Sequence, residues 1–234
     1  MINKQVRLST LNRYELNRYL GYKNNTPDDI IRGIIDECEK KLFENVKPAY
    51  ICRVFDIKEK FCDGEYSGIE FEGTDLLLEG NSIRNHLKDC SQAALISATL
   101  SGQADKLIRQ AEIKDMAKAL ILDTLASVAI EQVCDMAEAH ISELFKSKYM
   151  TYRFGVGYGD LPLYHEKMIL DILDAGKNIG LCCNENNILI PRKSVVCIVG
   201  ISDSPMPRGQ KGCATCNMAS TCNFRRQGIS CGHS

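Results

Sequence analysis

The apolar residues of this chain follow two different spacings, which separate its predicted helices from its predicted strands. After the helix-start sequence Thr26-Pro27-Asp28-Asp29, apolar residues recur every three or four positions, which predicts a helix over residues 27–45. Residues 114–148 contain neither Gly nor Pro and are apolar over a wide arc in their first half, which predicts a long helix against which the other elements pack. Further helices are predicted at residues 11–20, 81–87, 102–111 and 163–175, the last ending at Gly176.

The predicted strands are shorter runs that are rich in β-branched, aromatic and small apolar residues. Residues 91–100 are apolar and small throughout, and we interpret them as a buried strand, although periodicity alone would also allow a buried helix. The other predicted strands lie at residues 49–57, near 69–72, at 188–190 and at 194–201. Together the two spacings predict an α+β fold in which a mixed or antiparallel sheet packs with helices, including the long one.

The chain divides by composition near residue 205. The segment Ser202-Asp-Ser-Pro-Met-Pro-Arg-Gly209 has the residues of a linker, and four of the last 22 residues are cysteines. A chain of 234 residues can bury a full core and still carry a small appendage. We therefore predict a main domain over residues 1–205 and a cysteine-rich tail over residues 206–234.

Charge and hydropathy exclude several classes of partner. Charged residues are 25% of the chain and the net charge is -1, so nothing indicates a surface for nucleic acid. No apolar run approaches the roughly 18 residues of a membrane span, and the first residues lack the apolar core of a signal peptide. The sequence predicts a cytoplasmic protein with reduced thiols.

The twelve cysteines fall into two groups. Eight are scattered through apolar or mixed segments, where a free cysteine behaves as a small buried hydrophobe, and we assign them no chemistry: Cys38, Cys52, Cys62, Cys90, Cys134, Cys182, Cys183 and Cys197. The other four are the predicted metal ligands of the tail: Cys213, Cys216, Cys222 and Cys231.

The spacing of the tail cysteines indicates one metal centre. Cys213 and Cys216 can coordinate it from a tight turn, while the longer gaps to Cys222 and Cys231 allow the chain to surround a centre larger than a single ion. A zinc ribbon would show two Cys-x2-Cys pairs, and this tail has one. We favour an iron–sulfur cluster, with structural zinc as the alternative and a redox dithiol or inert thiols as the remaining interpretations.

A glycine-rich segment after the long helix is the predicted ligand loop. It reads Arg153-Phe-Gly-Val-Gly-Tyr-Gly-Asp-Leu-Pro162, and three glycines in five residues favour a tight turn or close approach by a ligand. The guanidinium of Arg153 suits a carboxylate, and the ring of Tyr158 offers a stacking surface. The same pattern also fits a surface connection with a solvated arginine.

The long helix offers acidic partners for such a ligand. Glu131 and Glu138 are seven residues apart and therefore share one face two turns apart. They are candidates for a pocket wall, or the helix simply emerges into solvent there. His165, in the first turn of a later helix, is interpreted as a surface or packing residue in preference to an acid–base catalyst.

The pattern Arg-x-x-x-Gly-Tyr-x-x-x-Pro, met by Arg153, Gly157, Tyr158 and Pro162, resembles the S-adenosylmethionine-binding loop of the activation domain of cobalamin-dependent methionine synthase. The resemblance extends to Ala137-Glu138-Ala139 and to Pro191-Arg-Lys-Ser-Val-Val196, and it covers most of residues 1–205. This chain has Val156 where the family usually has Pro.

The resemblance implies a binding site and an activity. It implies that Glu138 binds the amino group of S-adenosylmethionine, with Arg153 on its carboxylate and with Val156, Gly157, Tyr158 and Pro162 forming the loop. The implied activity is reactivation of a corrinoid, in which oxidised cob(II)alamin is reduced and then methylated from S-adenosylmethionine. The nucleophile is then the cobalt, so the sequence predicts no catalytic side chain.

The corrinoid must come from another chain under this interpretation. Methionine synthases bind cobalamin through an Asp-x-His-x-x-Gly motif, and none of His86, His140, His165 or His233 has that context. We therefore expect a separate cobalamin-binding methionine synthase as partner, together with an electron donor. The alternatives are activation of a different corrinoid methyltransferase, or a non-enzymatic, metal-bearing interaction module.

Overall fold

The computed structural model describes residues 1–22 and 25–205 and, in the tail, Arg226. A central antiparallel sheet lies at the middle of the fold. The strands in chain order are β1 (Ile2–Gln5), β2 (Ala49–Cys62), β3 (Glu65–Phe71), β4 (Leu77–Leu78), β5 (Gln92–Thr99), β6 (Tyr149–Met150), β7 (Phe154–Gly155), β8 (Cys182–Cys183), β9 (Leu189–Ile190) and β10 (Ser194–Ser202). Their order in the main sheet is β4-β3-β2-β5-β10-β6, with β1 on β2 and β7 on β10. Strands β8 and β9 pair with each other in a separate small sheet.

Seven helices cover the two faces of the sheet in the part of the chain that the structure describes. They are α1 (Arg13–Tyr19), α2 (Asp29–Asn45), α3 (Asn81–Leu87), α4 (Gly102–Lys114), α5 (Met116–Leu144), α6 (His165–Ile172) and α7 (Ala175–Ile179). The α+β prediction, with an antiparallel sheet and one long helix, is confirmed. The buried strand predicted at residues 91–100 is also confirmed as β5.

The middle of the sheet is buried on both faces because β5, β10 and the first half of β2 are apolar at most positions. Successive side chains of a strand point to opposite faces, so neighbouring residues of β2, β5 and β10 enter different cores. Cys52, Ile96 and Cys197 belong to the core beneath α1, α2, α4 and α5. Ile51, Leu95 and Ile198 belong to the core that α3, α6, α7 and the segment around Phe154 cover.

The long helix begins and ends inside its predicted limits of 114 and 148. Asp115 interrupts the helix with an extended backbone, and its side chain accepts a hydrogen bond from the amide of Lys118 at 3.1 Å. Helix α4 therefore continues to Lys114, and α5 begins at Met116. An aspartate that caps the next helix separates α4 from α5 without Gly or Pro.

Two predictions for residues 163–190 were wrong in detail. Gly176 does not end the helix predicted at 163–175, because Asp174 in a left-handed conformation separates α6 from α7 and Gly176 lies inside α7. The strand predicted at 188–190 corresponds to β9, which pairs with β8 and not with the main sheet.

The tail lies outside the described residues, apart from Arg226, and with it the predicted ligands Cys213, Cys216, Cys222 and Cys231. Within the described ranges, no group of three His, Cys, Asp or Glu residues is arranged to hold a metal ion. No helix in those same ranges combines the length and apolarity needed to cross a membrane.

Candidate ligand site

The candidate site lies at the sheet edge where β7 pairs with β10. Gly155 lies opposite Cys197 and Phe154 opposite Ile198 in this pairing. The side chain of Phe154 enters the core shared with α3 and α6. Because side chains alternate along extended backbone, Arg153 reaches the other face, where α5 lies.

Arg153 contacts three carboxylates of α5. Its Nη1 donates to Oδ1 of Asp135 at 2.7 Å and also to Oε1 of Glu138. Its Nη2 donates to Oε2 of Glu131 at 3.0 Å. One guanidinium thus joins the predicted ligand loop to two turns of the long helix.

The cluster has an inner pair and an outer pair. The side chains of Arg153 and Glu138 are 19% and 24% exposed, whereas those of Glu131 and Asp135 are 51% and 65% exposed. Burial by itself would lower the pKa of Arg153, but the hydrogen bond to Asp135 and the charge of Glu138 raise it above its ordinary value. Arg153 therefore remains a cation at any ordinary pH.

Helix α5 presents these carboxylates because its opposite side is fixed in the core. Glu131, Asp135 and Glu138 have the spacing i, i+4 and i+7, which places them on one face of the helix. Val133 and Ala137 on the other side are fully buried. The positions of the carboxylates therefore follow from the packing of the helix on the sheet.

The loop after β7 is attached to the sheet by Val156. Its side chain is buried, and its backbone N–H donates to the carbonyl oxygen of Val196 in β10 at 3.3 Å. A proline, which the resembling family usually has at this place, lacks the N–H for this bond. With Val156 in place of proline, this chain therefore has one backbone hydrogen bond between the loop and the sheet that a proline could not form.

Gly157 and Tyr158 form the exposed tip of the loop. Gly157 has φ +85°, a left-handed conformation that side chains disfavour, and a Cβ there would lie 2.9 Å from Cδ1 of Leu163. The ring of Tyr158 lies against Gly155, where a Cβ would be 2.9 Å from Cδ2 of the ring. Tyr158 is nevertheless 71% exposed, so most of its ring surface is open to a ligand.

The loop ends in contacts with a neighbouring helix. The two carboxylate oxygens of Asp160 accept hydrogen bonds from the backbone amides of Asn81 and Ser82 at 2.7 and 2.8 Å. The first amides of α3 are therefore capped by Asp160, and not by the side chains of Asn81 or Ser82. Tyr164 adds a second tie, since its hydroxyl donates to Oε2 of Glu79 at 2.6 Å. Pro162 is half-buried, and its carbonyl oxygen accepts a hydrogen bond from the backbone amide of His165 at 3.4 Å.

Two buried titratable side chains follow the loop, in the first turn of α6. His165 is 1% exposed and Glu166 is 7% exposed. Both ring nitrogens of His165 and Oε2 of Glu166 have no hydrogen-bond partner among the described residues. Burial lowers the pKa of His165 and raises the pKa of Glu166 to about 7, so both favour their neutral forms. The interpretation of His165 as a packing residue agrees with this burial.

The structure brings Arg153 and Glu138 together, and Val156, Gly157, Tyr158 and Pro162 lie in the loop that follows Arg153 along the chain. Their role as ligand contacts remains a prediction. The sequence analysis named Glu131 only as a candidate for a pocket wall, and it missed Asp135 and Asp160. The spacing from Glu131 and Glu138 could have identified Asp135, whereas nothing in the sequence connects Asp160 with α3.

Comparison with known proteins gives a structural neighbour. No family model matches the chain, and no curated protein matches it. Among solved structures, the MetH reactivation domain bound to AdoHcy superposes with a TM-score of 0.61 at 14% sequence identity, over 97% of this chain and 86% of that one. The chain therefore shares the fold of the MetH reactivation domain.

Proposed function

We propose that this chain binds S-adenosylmethionine at Arg153 and supports the reductive remethylation of cob(II)alamin on a separate cobalamin-dependent methionine synthase. The observation that carries the proposal is the direct contact of Arg153 with Glu138. These are the residues that the sequence resemblance matches to the carboxylate and the amino group of that ligand. The neighbour with the same fold was solved with AdoHcy, which differs from S-adenosylmethionine by one methyl group.

The two inner side chains suit the two charged ends of an amino acid. Arg153 can offer a fork of N–H donors to a carboxylate, and Glu138 can accept from an ammonium group. Without a ligand these two side chains neutralise each other. A bound zwitterion would exchange that one ion pair for two, so neither partly buried charge would lose its partner.

The remaining loop residues would position the ligand. Gly157 has no side chain to block approach to the backbone, and the exposed ring of Tyr158 offers a stacking face. In the proposed reaction one electron reduces cob(II)alamin, and the reduced cobalt takes the methyl group and leaves S-adenosylhomocysteine. The chain itself holds and orients the methyl donor.

The tail belongs to the same proposal as a metal site formed by Cys213, Cys216, Cys222 and Cys231. Four thiolates suit an iron–sulfur cluster that would relay the electron, or a structural zinc ion. These four residues lie outside the described part of the chain, so the assignment rests on their spacing. Metal analysis and the visible spectrum of anaerobically purified protein separate the two, because zinc gives no visible absorption.

Calorimetric titration with S-adenosylmethionine tests the site. Arg153→Ala should weaken binding about ten- to a hundredfold, because losing a charge-assisted hydrogen bond costs roughly 1.5 to 3 kcal/mol. Arg109→Ala, which removes an exposed arginine of α4, is the matched control and should bind as the wild type does. Equal binding by Arg153→Ala and the control would refute the assignment of Arg153.

A second measurement separates the wider interpretations. Addition of the protein, S-adenosylmethionine and a chemical reductant to an inactive methionine synthase should restore its activity. Restoration for a different corrinoid methyltransferase alone would change the partner but keep the site. Retained metal without any binding of S-adenosylmethionine would instead favour an interaction module.

A further inference from the structure

The candidate site carries more negative than positive charge. Three carboxylates, those of Glu131, Asp135 and Glu138, surround the single guanidinium of Arg153. Their formal charges add to minus two when all four groups are ionised. A zwitterionic amino-acid group, which is neutral overall, would leave this excess in place.

The excess charge comes from the two outer carboxylates. Glu131 and Asp135 are more than half exposed, and each already contacts Arg153. When a ligand occupies the inner pair, Glu131 can still accept from Nη2 and Asp135 from Nη1 of Arg153. The outer pair would therefore stay in place beside the ligand while Glu138 turns to it.

The proposed donor and its product differ in charge at one atom. S-adenosylmethionine has a sulfonium, an ammonium and a carboxylate and is a net cation, whereas its demethylated thioether product is net neutral. On the basis of the proposed function, we infer that Glu131 and Asp135 are specificity-determining residues that favour the sulfonium form over the thioether. They would act through their field and not by contact with the ligand.

The expected size of this preference follows from the exposure of both carboxylates. Charges within a Debye length, about 10 Å at 0.1 M salt, act on each other, but water screens exposed groups strongly. Each outer carboxylate should therefore contribute about a twofold to fivefold preference at low salt. The preference should shrink as salt is added, because the screening length falls to about 3 Å at 1 M.

The preference would matter for turnover. Methyl transfer removes the positive charge from the ligand, so the product would lose the attraction that the substrate had. An excess of carboxylates at the site would thus favour exchange of the product for fresh substrate. A site with balanced charge would hold the two ligands more equally.

The test compares the affinities of S-adenosylmethionine and S-adenosylhomocysteine by calorimetry. In Glu131→Gln, Asp135→Asn and the double variant, the ratio of the two affinities should fall, by about fourfold or more in the double variant at low salt. Glu143→Gln, on another side of α5, is the control and should leave the ratio unchanged. An analogue with a protonated amine in place of the sulfonium should behave as S-adenosylmethionine does.

Two outcomes overturn the inference while the proposed function stands. The first is an unchanged ratio in a folded double variant that binds both ligands. The second, which needs no variant, is a wild-type ratio that stays the same between low and high salt. Failure of the wild-type protein to bind either ligand would refute the proposed function itself.

Discussion

The buried carboxyl of Glu166 should make the stability of this protein depend on pH in a way that one substitution removes. Glu166 is 7% exposed, its Oε2 has no hydrogen-bond partner among the described residues, and burial raises its pKa to about 7. In the unfolded chain a glutamate has a pKa of about 4.3. The folded protein therefore holds this proton more tightly than the unfolded chain does.

The sign and the size follow from proton linkage. Below the unfolded pKa both states are protonated, so Glu166 causes no penalty there. Between about pH 4.3 and 7 the unfolded chain has lost the proton while the folded protein keeps it, and the free energy of unfolding falls by about 1.4 kcal/mol per pH unit. The total loss reaches about 4 kcal/mol by pH 8 and is constant above that. Glu166→Gln keeps the shape and removes the titration.

The assay is urea denaturation of wild type and Glu166→Gln at four pH values from 5 to 8. His165 next to it has a lowered pKa and gives an opposite slope, since stability is lost as pH falls through the range where the unfolded histidine takes up a proton. The difference between the two proteins removes this contribution. Other charged or titratable groups near the pair, which are unchanged in the variant, are Glu79, Lys167, Asp171 and Cys183.

The variant should gain stability over the wild type as pH rises, and most of the gain should fall between pH 5 and 7. Glu185→Gln, at an exposed position in the turn between β8 and β9, is the control and should show no such trend. A constant difference between Glu166→Gln and wild type over this range would refute the reasoning, because it would mean that Glu166 is ionised in the folded protein.

Three further predictions concern the cap of α3 and two glycines. Asp160→Ala should lower the free energy of unfolding by about 0.5 to 2 kcal/mol, because it removes the cap of α3. Its effect should shrink in strong acid. Hydrogen bonds to the backbone of Ser82 hold the pKa of Asp160 below its usual range, so the contribution of the carboxylate is lost only as pH falls through that lowered pKa. Urea denaturation at pH 7 and at steps below the ordinary pKa of an aspartate, about 3.9, measures both effects. Gly200→Ala should destabilise by about 1 to 3 kcal/mol, because a Cβ there would lie 2.5 Å from Sγ of Cys90 and 2.8 Å from Cδ2 of Leu87. Gly33→Ala is its counterpart in α2, where a Cβ meets nothing within 4 Å, and it should stabilise by about 0.5 to 1 kcal/mol in thermal or urea unfolding.

The elements that the sequence predicted best are those in which the pattern of apolar residues matches the faces that are buried. The run at residues 91–100 is apolar on both faces because β5 lies between β2 and β10 in the middle of the sheet. Helix α2 has a start signal and an apolar stripe, although its N-cap is Asp28, two residues after the predicted cap Thr26. In both cases the hydrophobic pattern and the tertiary environment agree.

The elements that it missed are held by backbone pairing at exposed positions. Strand β1 pairs with β2 at the sheet edge, and most of its side chains face solvent, so they form no apolar pattern. The outer half of the β2–β3 hairpin is polar for the same reason. Its turn did carry a signal, because Asp63 and Gly64 both have positive φ and an Asp-Gly pair favours such a hairpin turn.

The candidate site was predictable in part. The resemblance supplied Arg153 and Glu138, and helix geometry places Glu131 and Asp135 on the face of Glu138. Asp160 caps α3 from a distant part of the sequence, 79 positions after Asn81 and 78 after Ser82. Only the folded chain shows this contact. The burial of Glu166 likewise depends on the elements that cover α6.

One stretch of α5 contributes both to the core and to the candidate site, which limits how its sequence can change during evolution. Between Glu131 and Glu138, charged positions alternate with Val133, Cys134 and Ala137, which are fully buried against the sheet. A larger side chain at any of these three would shift the helix and carry the carboxylates away from Arg153. Mutations in this part of the core are therefore constrained both by the stability of the fold and by the geometry of the candidate site. We expect lineages of this protein to tolerate change in the outer hairpin far more readily than in these two helical turns.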